Sequence, residues 1–439
     1  MSSDNATSVG TSPAQGDRVA TPVSQPVRQR IFFYLGALIV LLAFSSPQGG
    51  LIDIPISFFL KNKLHLEAHQ VAVFRLIASV PLYLSFVFGF VRDSWSPFGM
   101  KDRGFMVLFG AICAALYVLF AFTPVSYPTL LIAVIALTAS SLFITAALNG
   151  LTSVLGQQHA MTGQISVVLN TFGTFPTLAG LLAGGYLSEL LEQRNADQAA
   201  RILFLCGATL MGAVATYGIW RPTSVFDNVR DETALVGRPL DNLARLARHW
   251  PIYPALLIWL LWNFAPGSAT PLQYFMQNTL HAKDAQWGQW NAIFAASFVP
   301  TFLVFGLLCR KFVLRTLLLW GTVVAVPQMV PLLFIHSING ALLAAVPMGL
   351  MGGVASAAYI DLIIRSSPRG LQGTAFMMST GLYWVATRFG DVLGTTLYDH
   401  FGGFGVCVLA ITVVYALILP TLLLVPSDLT NTADGQALE

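Results

Sequence analysis

Charged residues are scarce in this sequence. Of its 439 residues, 10% are Asp, Glu, Lys or Arg, 55% are hydrophobic, and the mean hydropathy is +0.69. Soluble domains carry about 25% charged residues, so a chain this long with so few cannot cover a water-facing surface. We therefore exclude an ordinary soluble domain and expect the lipid bilayer to be a partner. The net charge of +3 and the lack of Lys/Arg runs give no support to nucleic-acid binding.

The sequence also lacks the patterns of metal sites, disulfide frameworks and enzymes. Its four cysteines each lie in an apolar run, at positions Cys113, Cys206, Cys309 and Cys407. The chain has no Gly-x-x-x-x-Gly-Lys-Ser/Thr phosphate loop, which argues against ATP-driven pumping, and no His-Glu-x-x-His pattern. We therefore expect no cofactor, no metal and no catalytic residue, and we predict that the chain is not an enzyme.

Long hydrophobic runs dominate the sequence instead. A helix needs roughly 20 apolar residues to cross the hydrocarbon layer, and twelve segments meet this condition. They are numbered here as spans 1 to 12. The first six are residues 31–60, 70–91, 104–123, 129–152, 164–188 and 201–220, and the last six are residues 252–276, 287–309, 315–335, 341–363, 372–397 and 404–425. The predicted fold is an all-α polytopic membrane protein with twelve transmembrane helices.

Polar segments divide these spans into domains. Residues 1–30 are rich in Ser, Thr, Pro, Gln and Ala and are predicted to form a disordered tail. Residues 221–250 are the only long polar interruption and are predicted to be a linker. The predicted domains are therefore a six-helix bundle at 31–220, a second six-helix bundle at 251–426 and a short tail at 427–439.

The distribution of basic residues predicts the orientation. An even number of spans puts both termini on the same side of the membrane. If that side is the cytoplasm, 16 of the 23 Lys and Arg residues are cytoplasmic and five lie on the other side. Because cytoplasmic loops carry an excess of Lys and Arg, we predict a multi-pass protein of the cell's inner membrane with both termini cytoplasmic.

The two halves of the sequence echo each other weakly. Asn149 in span 4 is followed 14 positions later by Gly163, and Asp361 in span 10 is followed 12 positions later by Gly373. Together with the central linker, this echo supports two related bundles with a binding site between them, which is the architecture of a rocking transporter.

A motif lies between spans 2 and 3, where residues 89–103 read GFVRDSWSPFGMKDR. A Gly, an Asp four positions later and a basic cluster resemble the cytoplasmic signature of the major facilitator superfamily. The resemblance implies two six-helix bundles and a cytoplasmic gate that includes Gly89, Asp93 and Arg103. Gly89 would allow close helix approach, and Asp93 would pair with a cation or a helix N-terminus when this side is closed. A solvated basic loop is the alternative interpretation.

Shorter patches resemble one transporter family more specifically. Gln48-Gly49, SFFLKNKL at 57–64, DSWSPFG at 93–99 and RSSPRGLQGTAF at 365–376 are similar to segments of the folate–biopterin transporter family. The resemblance implies a small anionic solute of the pterin or folate type. The sequence departs from the family's pattern in span 2, and it has neutral residues where the family has acidic ones, namely Asn149 and Gln372.

Charged residues inside the spans are costly in lipid and therefore mark candidate sites. Asp53 of span 1 and Arg75 of span 2 are predicted to meet as an outward gate or a proton-linked pair, unless Arg75 only extends to the interface. Trp384, Arg388 and Asp391 of span 11 share one helix face. Arg388 is predicted to hold a substrate carboxylate, and Asp391 to orient it or take a proton. The alternative is a structural ion pair between them.

Other polar residues complete the candidate set. Asp361 of span 10 has Arg365 one turn later as its partner, either in the site or at the membrane interface. Polar stripes along spans 4, 5 and 7 indicate a wet central cavity, the alternative being hydrogen bonds between helices. From these stripes we select four residues as substrate-contacting or coupling candidates: Asn149, Asn170, Asn263 and Gln273.

These observations lead to one main hypothesis and two alternatives. The main hypothesis is a monomeric secondary active transporter that moves a small organic solute by alternating access, with protons as the coupling partner. One alternative is an exporter or carrier of an unrelated metabolite, drug or muropeptide. The other is a non-transporting assembly factor on the same fold.

Overall fold

The computed structural model describes residues 23–66, 68–192, 194–226 and 239–435, and this part of the chain is helical and contains no β-strand. Its helices follow the twelve predicted spans. Those of the first half are Gln25–Ser45 and Gly50–Phe58 (span 1), Ala68–Ala78, Val80–Tyr83 and Ser85–Ser94 (span 2), Asp102–Ala121 (span 3), Tyr127–Gln158 (span 4), Thr162–Glu192 (span 5) and Ala196–Ile219 (span 6). Those of the second half are Ile252–Asn263 and Thr270–Tyr274 (span 7), Asp284–Leu308 (span 8), Leu314–Ala325 with the 3-10 turn Val330–Phe334 (span 9), Ile338–Ser366 (span 10), Gln372–His400 (span 11), and Phe404–Ala416, Ile418–Thr421 and Leu422–Leu424 (span 12).

Nine of the spans contain a stretch that is long and apolar enough to cross a membrane, counted over the described residues. Spans 2, 7 and 11 are outside this set for different reasons. Spans 2 and 7 are divided into short helices, and span 7 is interrupted at residues 264–269, where Gly267 has a φ of +111°. Span 11 is an unbroken helix of 29 residues, but Arg388, Asp391 and many Gly, Ser and Thr residues make it less apolar. The three exceptions therefore mark where the fold departs from simple lipid-facing helices.

The packing of the helices repeats between the two halves. Span 3 packs on spans 4 and 6, and span 9 packs in the corresponding way on spans 10 and 12. Span 1 packs on span 5, as span 7 packs on span 11. Contacts between the halves follow the same relation, because span 2 packs against span 11 and span 5 packs against span 8. The two halves therefore share the same pattern of helix packing.

The ends of spans 1 and 7 provide the clearest repeat. Residues 55–65 read PISFFLKNKLH and residues 271–281 read PLQYFMQNTLH, a constant offset of 216 positions with five identities in eleven. Both segments end in a π-helical turn, Phe59–Lys63 in one and Phe275–Thr279 in the other. Both then reach a histidine with positive φ, 51° in the first and 55° in the second. The same sequence signal therefore forms the same unusual backbone in each half.

Both ends of the described chain and the segment between the halves lie on one side of the bundle. This side is called the terminal side below, and it is the side predicted to be cytoplasmic. Helix Gln25–Ser45 begins inside the predicted disordered tail 1–30, because a proline in its first turn favours helix initiation. Residues 1–22 of that tail lie outside the described residues.

The linker and the C-terminal tail also contain structure. Linker 221–250 includes helices Thr223–Phe226 and Pro239–Arg248, and its residues 227–238 lie outside the described part of the chain. The second of these helices buries Leu246 against span 11. The tail begins with helix Ser427–Thr430 and packs back onto the bundle as far as Gly435, while residues 436–439 are outside the description.

Candidate functional site

A cavity lies between the halves, with walls from spans 1, 2, 4 and 11. The first half contributes Gln48, Asp53, Ser57 and Arg75, and the second half contributes Trp384 and Arg388. The structure therefore brings together four of the residues predicted from sequence: Asp53, Arg75, Trp384 and Arg388. Because both halves line it, the shape of this cavity depends on how the halves are arranged.

The break in span 1 positions the acidic wall of the cavity. The chain leaves the helix after Ser45 and starts a new helix at Gly50, which places Asp53 in the first turn, where a negative charge is favourable. Arg75 Nη2 lies 3.3 Å from Asp53 Oδ2 and also donates to Ser57 Oγ. The two charged side chains keep 46% and 37% of their surface exposed. The predicted meeting of Asp53 and Arg75 is therefore observed, and the pair faces the cavity.

Arg388 faces the cavity without an ionic partner among the described residues. It lies one turn after Trp384 on span 11 and is exposed. Asp391, predicted to act beside Arg388, does not line the cavity, and the alternative ion pair between the two does not form. Asp391 instead accepts hydrogen bonds from Thr270 N at 2.9 Å and Thr270 Oγ1 at 2.8 Å. Asp391 thereby satisfies the first N–H of the short helix Thr270–Tyr274 after the break in span 7. The cavity is left with two guanidinium groups and one carboxylate.

The neutral polar candidates lie outside this cavity wall. Asn170 and Asn263 each donate to a carbonyl four residues earlier on their own helix, at 2.8 Å in both cases. Asn149 is buried, with its Nδ2 3.5 Å from Met377 Sδ of span 11. Gln273 is half-buried in the short helix after the break in span 7. The bonds of Asn170 and Asn263 stay within one helix, so they fit neither a cavity wall nor the alternative of hydrogen bonds between helices. Asn149 contacts the other half.

The terminal side of the molecule is closed by the predicted gate residue Asp93. Its carboxylate accepts hydrogen bonds from Gly373 N at 3.2 Å and from Thr374 N and Oγ1, both at 2.6 Å. These donors are at the start of span 11, in the other half. Gly89 permits this closure, since its backbone lies directly against that of Gly373. The positive helix end and the carboxylate attract each other.

The cation of this gate is Arg92, which is not among the residues predicted from the sequence. Its guanidinium lies 2.7 Å from Asp93 and 2.6 Å from Asp102, and all three side chains are buried. Buried charges need such partners. Arg103, the predicted gate cation, instead donates to the carbonyls of Gly218 and Ile219 at the end of span 6. Arg103 therefore joins spans 3 and 6 within one half and does not bridge the halves.

A neutral side chain strengthens the closure. Gln157 at the end of span 4 donates to the carbonyls of Ile364 at 2.7 Å and Ser367 at 2.8 Å, and accepts from Gln372 Nε2 at 3.1 Å. Gln157 was not predicted as a site residue, because no charge pattern marks it in the sequence. With these bonds the halves are joined at the terminal side, below the cavity.

Asp361 belongs to a second buried cluster at this closed side, and it does not line the cavity. It forms the predicted ion pair with Arg365, whose Nε lies 2.8 Å from Asp361 Oδ1. The Arg365 guanidinium also lies 3.1 Å from Asp434 Oδ1 of the C-terminal tail. Asp361 is therefore part of a three-residue ionic cluster that includes a residue of the tail.

Comparison with solved structures shows the same arrangement of helices. The major facilitator superfamily transporter FucP in the outward conformation aligns with a TM-score of 0.67 and 15% identity, over 90% of this chain and 99% of that chain. The proton:xylose symporter XylE aligns with a TM-score of 0.66 and 13% identity, over 93% and 98%. The human organic anion transporter MFSD10 aligns with a TM-score of 0.61 and 14% identity, over 91% and 100%. No family model and no curated protein matches the sequence.

The chain is thus a polytopic helical membrane protein whose twelve spans form two six-helix bundles around a cavity. Its fold is that of the major facilitator superfamily. The narrower resemblance to folate–biopterin transporters stays a prediction.

Proposed function

We propose that this protein is a secondary active transporter that moves a small organic anion across the cytoplasmic membrane by alternating access. The terminal side is taken as cytoplasmic, so that the arrangement described above is the outward-facing state. Two observations support the proposal. Both halves bound one cavity, and hydrogen bonds between the halves close the terminal side. Movement of the halves about such a site is how transporters of this architecture operate.

The proposed solute class is inferred from the charge balance of the cavity. Arg75 forms a close ion pair with Asp53, whereas Arg388 lies within electrostatic range of the same carboxylate but forms no ion pair within 4 Å among the described residues. A guanidinium binds a carboxylate through two parallel hydrogen bonds. Trp384, one turn away, offers an aromatic face beside it. An anion with an aromatic ring, such as a pterin or folate, matches this pair of side chains.

Arg388 provides the direct test. Charge-assisted hydrogen bonds contribute ~1.5–3 kcal/mol, so Arg388→Ala should weaken solute binding roughly 10- to 150-fold. Arg388→Lys keeps the charge and loses the planar fork, and an intermediate loss is expected. Arg310→Ala, an exposed cation at the terminal side, serves as the matched control. Uptake of labelled folate or biopterin into proteoliposomes and thermal shift of the purified protein measure the effect.

The possible outcomes separate the solute from the mechanism. Absence of uptake of either compound under any gradient removes the pterin or folate assignment, and a panel of other aromatic carboxylates then tests the wider anion class. Unchanged binding and uptake in Arg388→Ala would contradict the anion site itself. A biological role that survives both Arg388→Ala and Asp53→Asn would favour an assembly factor.

Proton coupling is proposed for the Asp53–Arg75 pair. Protonation of Asp53 removes the charge that holds Arg75 and adds a cationic group to the cavity. Proton entry and anion binding would then favour each other. Asp53→Asn should therefore transport without dependence on an inward pH gradient, while Asp428→Asn, an exposed carboxylate of the tail, should retain that dependence. Retained dependence in Asp53→Asn would place the coupling group elsewhere.

A further inference from the structure

The C-terminal tail places a carboxylate inside the closed terminal side. Asp434 accepts hydrogen bonds from Gly163 N at 3.2 Å and Gln164 N at 2.9 Å, at the start of span 5. It also forms the ion pair with Arg365, and its side chain is 1% exposed. Such burial of a charged group is unfavourable unless it is fully partnered, so this placement depends on the helix N-terminus and Arg365 together.

The contacts of Asp434 repeat those of Asp93. Asp93 binds the N-terminus of span 11 at Gly373 and Thr374, and Asp434 binds the N-terminus of span 5 at Gly163 and Gln164. Spans 5 and 11 are the corresponding helices of the two halves.

Each of the two carboxylates is held by an arginine that has a second acidic partner. Arg92 pairs with Asp93 and Asp102, and Arg365 pairs with Asp434 and Asp361. The two clusters therefore have the same composition, one guanidinium with two carboxylates, although the chain segments that provide them differ.

The position of Asp434 also corresponds to that of Asp93. Asp93 is in the last turn of span 2, whereas span 8 ends in Cys309-Arg310-Lys311, which contains no acidic residue. Asp434 N donates to Cys309 O at 2.9 Å, and Cys309 Sγ lies 3.7 Å from Asp434 Oδ2. The tail thus brings a carboxylate to the end of span 8, where the first half has its own.

The tail is attached to the second half and reaches across to the first. Arg365 Nη1 donates to Thr432 O at 2.9 Å, and helix Ser427–Thr430 packs on spans 9 and 10. The bonds from Gly163 and Gln164 to Asp434 cross between the halves, as does the bond from Gly435 N to Ala160 O at 2.7 Å. Separation of the halves at the terminal side must break them.

We propose that Asp434 is a second gate residue, which locks span 5 to the second half while the terminal side is closed and releases it when that side opens. This inference rests on the proposed alternating-access function. The C-terminal tail thereby takes part in the transport cycle. It provides the carboxylate for the N-terminus of span 5, because the end of span 8 has no acidic residue.

The test measures the separation of the halves directly, without a solute. Spin labels at Phe98→Cys and Lys311→Cys, both exposed at the terminal side, report the distance between the halves by pulsed electron paramagnetic resonance. Cys206→Ser with Cys309→Ser serves as the background, because Cys206 is only half-buried, Cys309 lies beside Asp434, and Cys113 and Cys407 are buried within the bundles. In this background Asp434→Ala should raise the ratio of open to closed molecules at least tenfold. Asp428→Ala, an exposed acidic residue of the same tail, should leave it unchanged.

Asp93→Ala distinguishes this inference from the proposed function. Opening in both Asp93→Ala and Asp434→Ala supports two locks. Opening in Asp93→Ala alone overturns the role of Asp434 and leaves alternating access in place. A closed distribution in both variants overturns alternating access and the second lock with it. A lower melting temperature of Asp434→Ala with an unchanged distance distribution would show a merely structural role and also overturn the inference.

Discussion

Gly89→Ala should open the terminal side, because the closed state has no room for a methyl group at this position. An added Cβ would lie 2.5 Å from the carbonyl oxygen of Gly373 and 2.8 Å from Thr374 Cα. Both are backbone atoms, so no side-chain rotation relieves the contact. Spans 2 and 11 must separate by about 1 Å to restore an ordinary contact, and this movement lengthens the bond from Thr374 N to Asp93.

The size of the effect follows from where the clash occurs. Spans 2 and 11 belong to different halves, so the clash exists only while the terminal side is closed. Overpacking of this kind costs ~1–3 kcal/mol, which corresponds to a roughly 5- to 150-fold rise in the ratio of open to closed molecules. Alanine is also the better helix former, so the stability of span 2 itself should not fall.

The labels at Phe98→Cys and Lys311→Cys measure this ratio. Gly212→Ala on span 6 is the matched control, since no heavy atom lies within 4 Å of a Cβ added there. A closed distribution in Gly89→Ala that equals that of Gly212→Ala would refute the argument. It would mean that the two helices separate within the closed state without loss of the Asp93 bonds.

Two further predictions concern Asp391 and the pH dependence of the tail. Asp391→Ala removes the acceptor of the first N–H of helix Thr270–Tyr274, a change that costs ~0.5–2 kcal/mol at helix starts. Amide hydrogen exchange should therefore rise over residues 270–279 in this variant, but not in the control Asp399→Ala, which changes an exposed carboxylate of the same span. Equal exchange in the two variants would contradict the capping role of Asp391. Burial, and then the Asp361 carboxylate, raises the pKa of Asp434 to about 6, with Arg365 opposing them. The docked tail thus takes up a proton more readily than the free tail, so acidification from pH 7.5 to 5 should stabilise the closed state about tenfold. Asp434→Ala should weaken this trend, and opening on acidification in the unmodified chain would contradict it. Titratable or charged side chains close to the tail include Cys309 at the carboxylate, His249 and Arg369 in the adjoining cavity, and His159 next to the Ala160 carbonyl that the tail binds.

The fold could be predicted from the sequence because the patterns that indicate it extend over many residues. Hydropathy averages over whole spans, so the twelve segments were visible even where breaks divide them, as in span 7. The contact of Asp53 with Arg75 followed from helix order and the cost of charge in lipid. The repeat between residues 55–65 and 271–281 was also present in the sequence, and a comparison at constant offset would have found it.

The partners of single side chains were less accessible. A spacing of three residues permits Arg388 and Asp391 to pair, but it cannot reveal that the break in span 7 leaves the Thr270 N–H free to bind Asp391. Similarly, Arg92 and Arg103 are both basic residues of one loop region. Only the packing of span 3 against span 6 decides that Arg103 bonds within its half while Arg92 supports the contact between halves.

Asp434 shows why the contact that closes the N-terminus of span 5 could not be predicted from a sequence motif. What the N-terminus of span 5 requires is a carboxylate within hydrogen-bonding distance, and any segment that reaches it satisfies this requirement. In the first half the segment is the end of span 2, so the carboxylate lies within the motif at residues 89–103. In the second half the end of span 8 is basic, and the carboxylate comes from more than 120 positions later. Both halves of this chain therefore present a helix N-terminus to a carboxylate, but different segments of the chain provide that carboxylate.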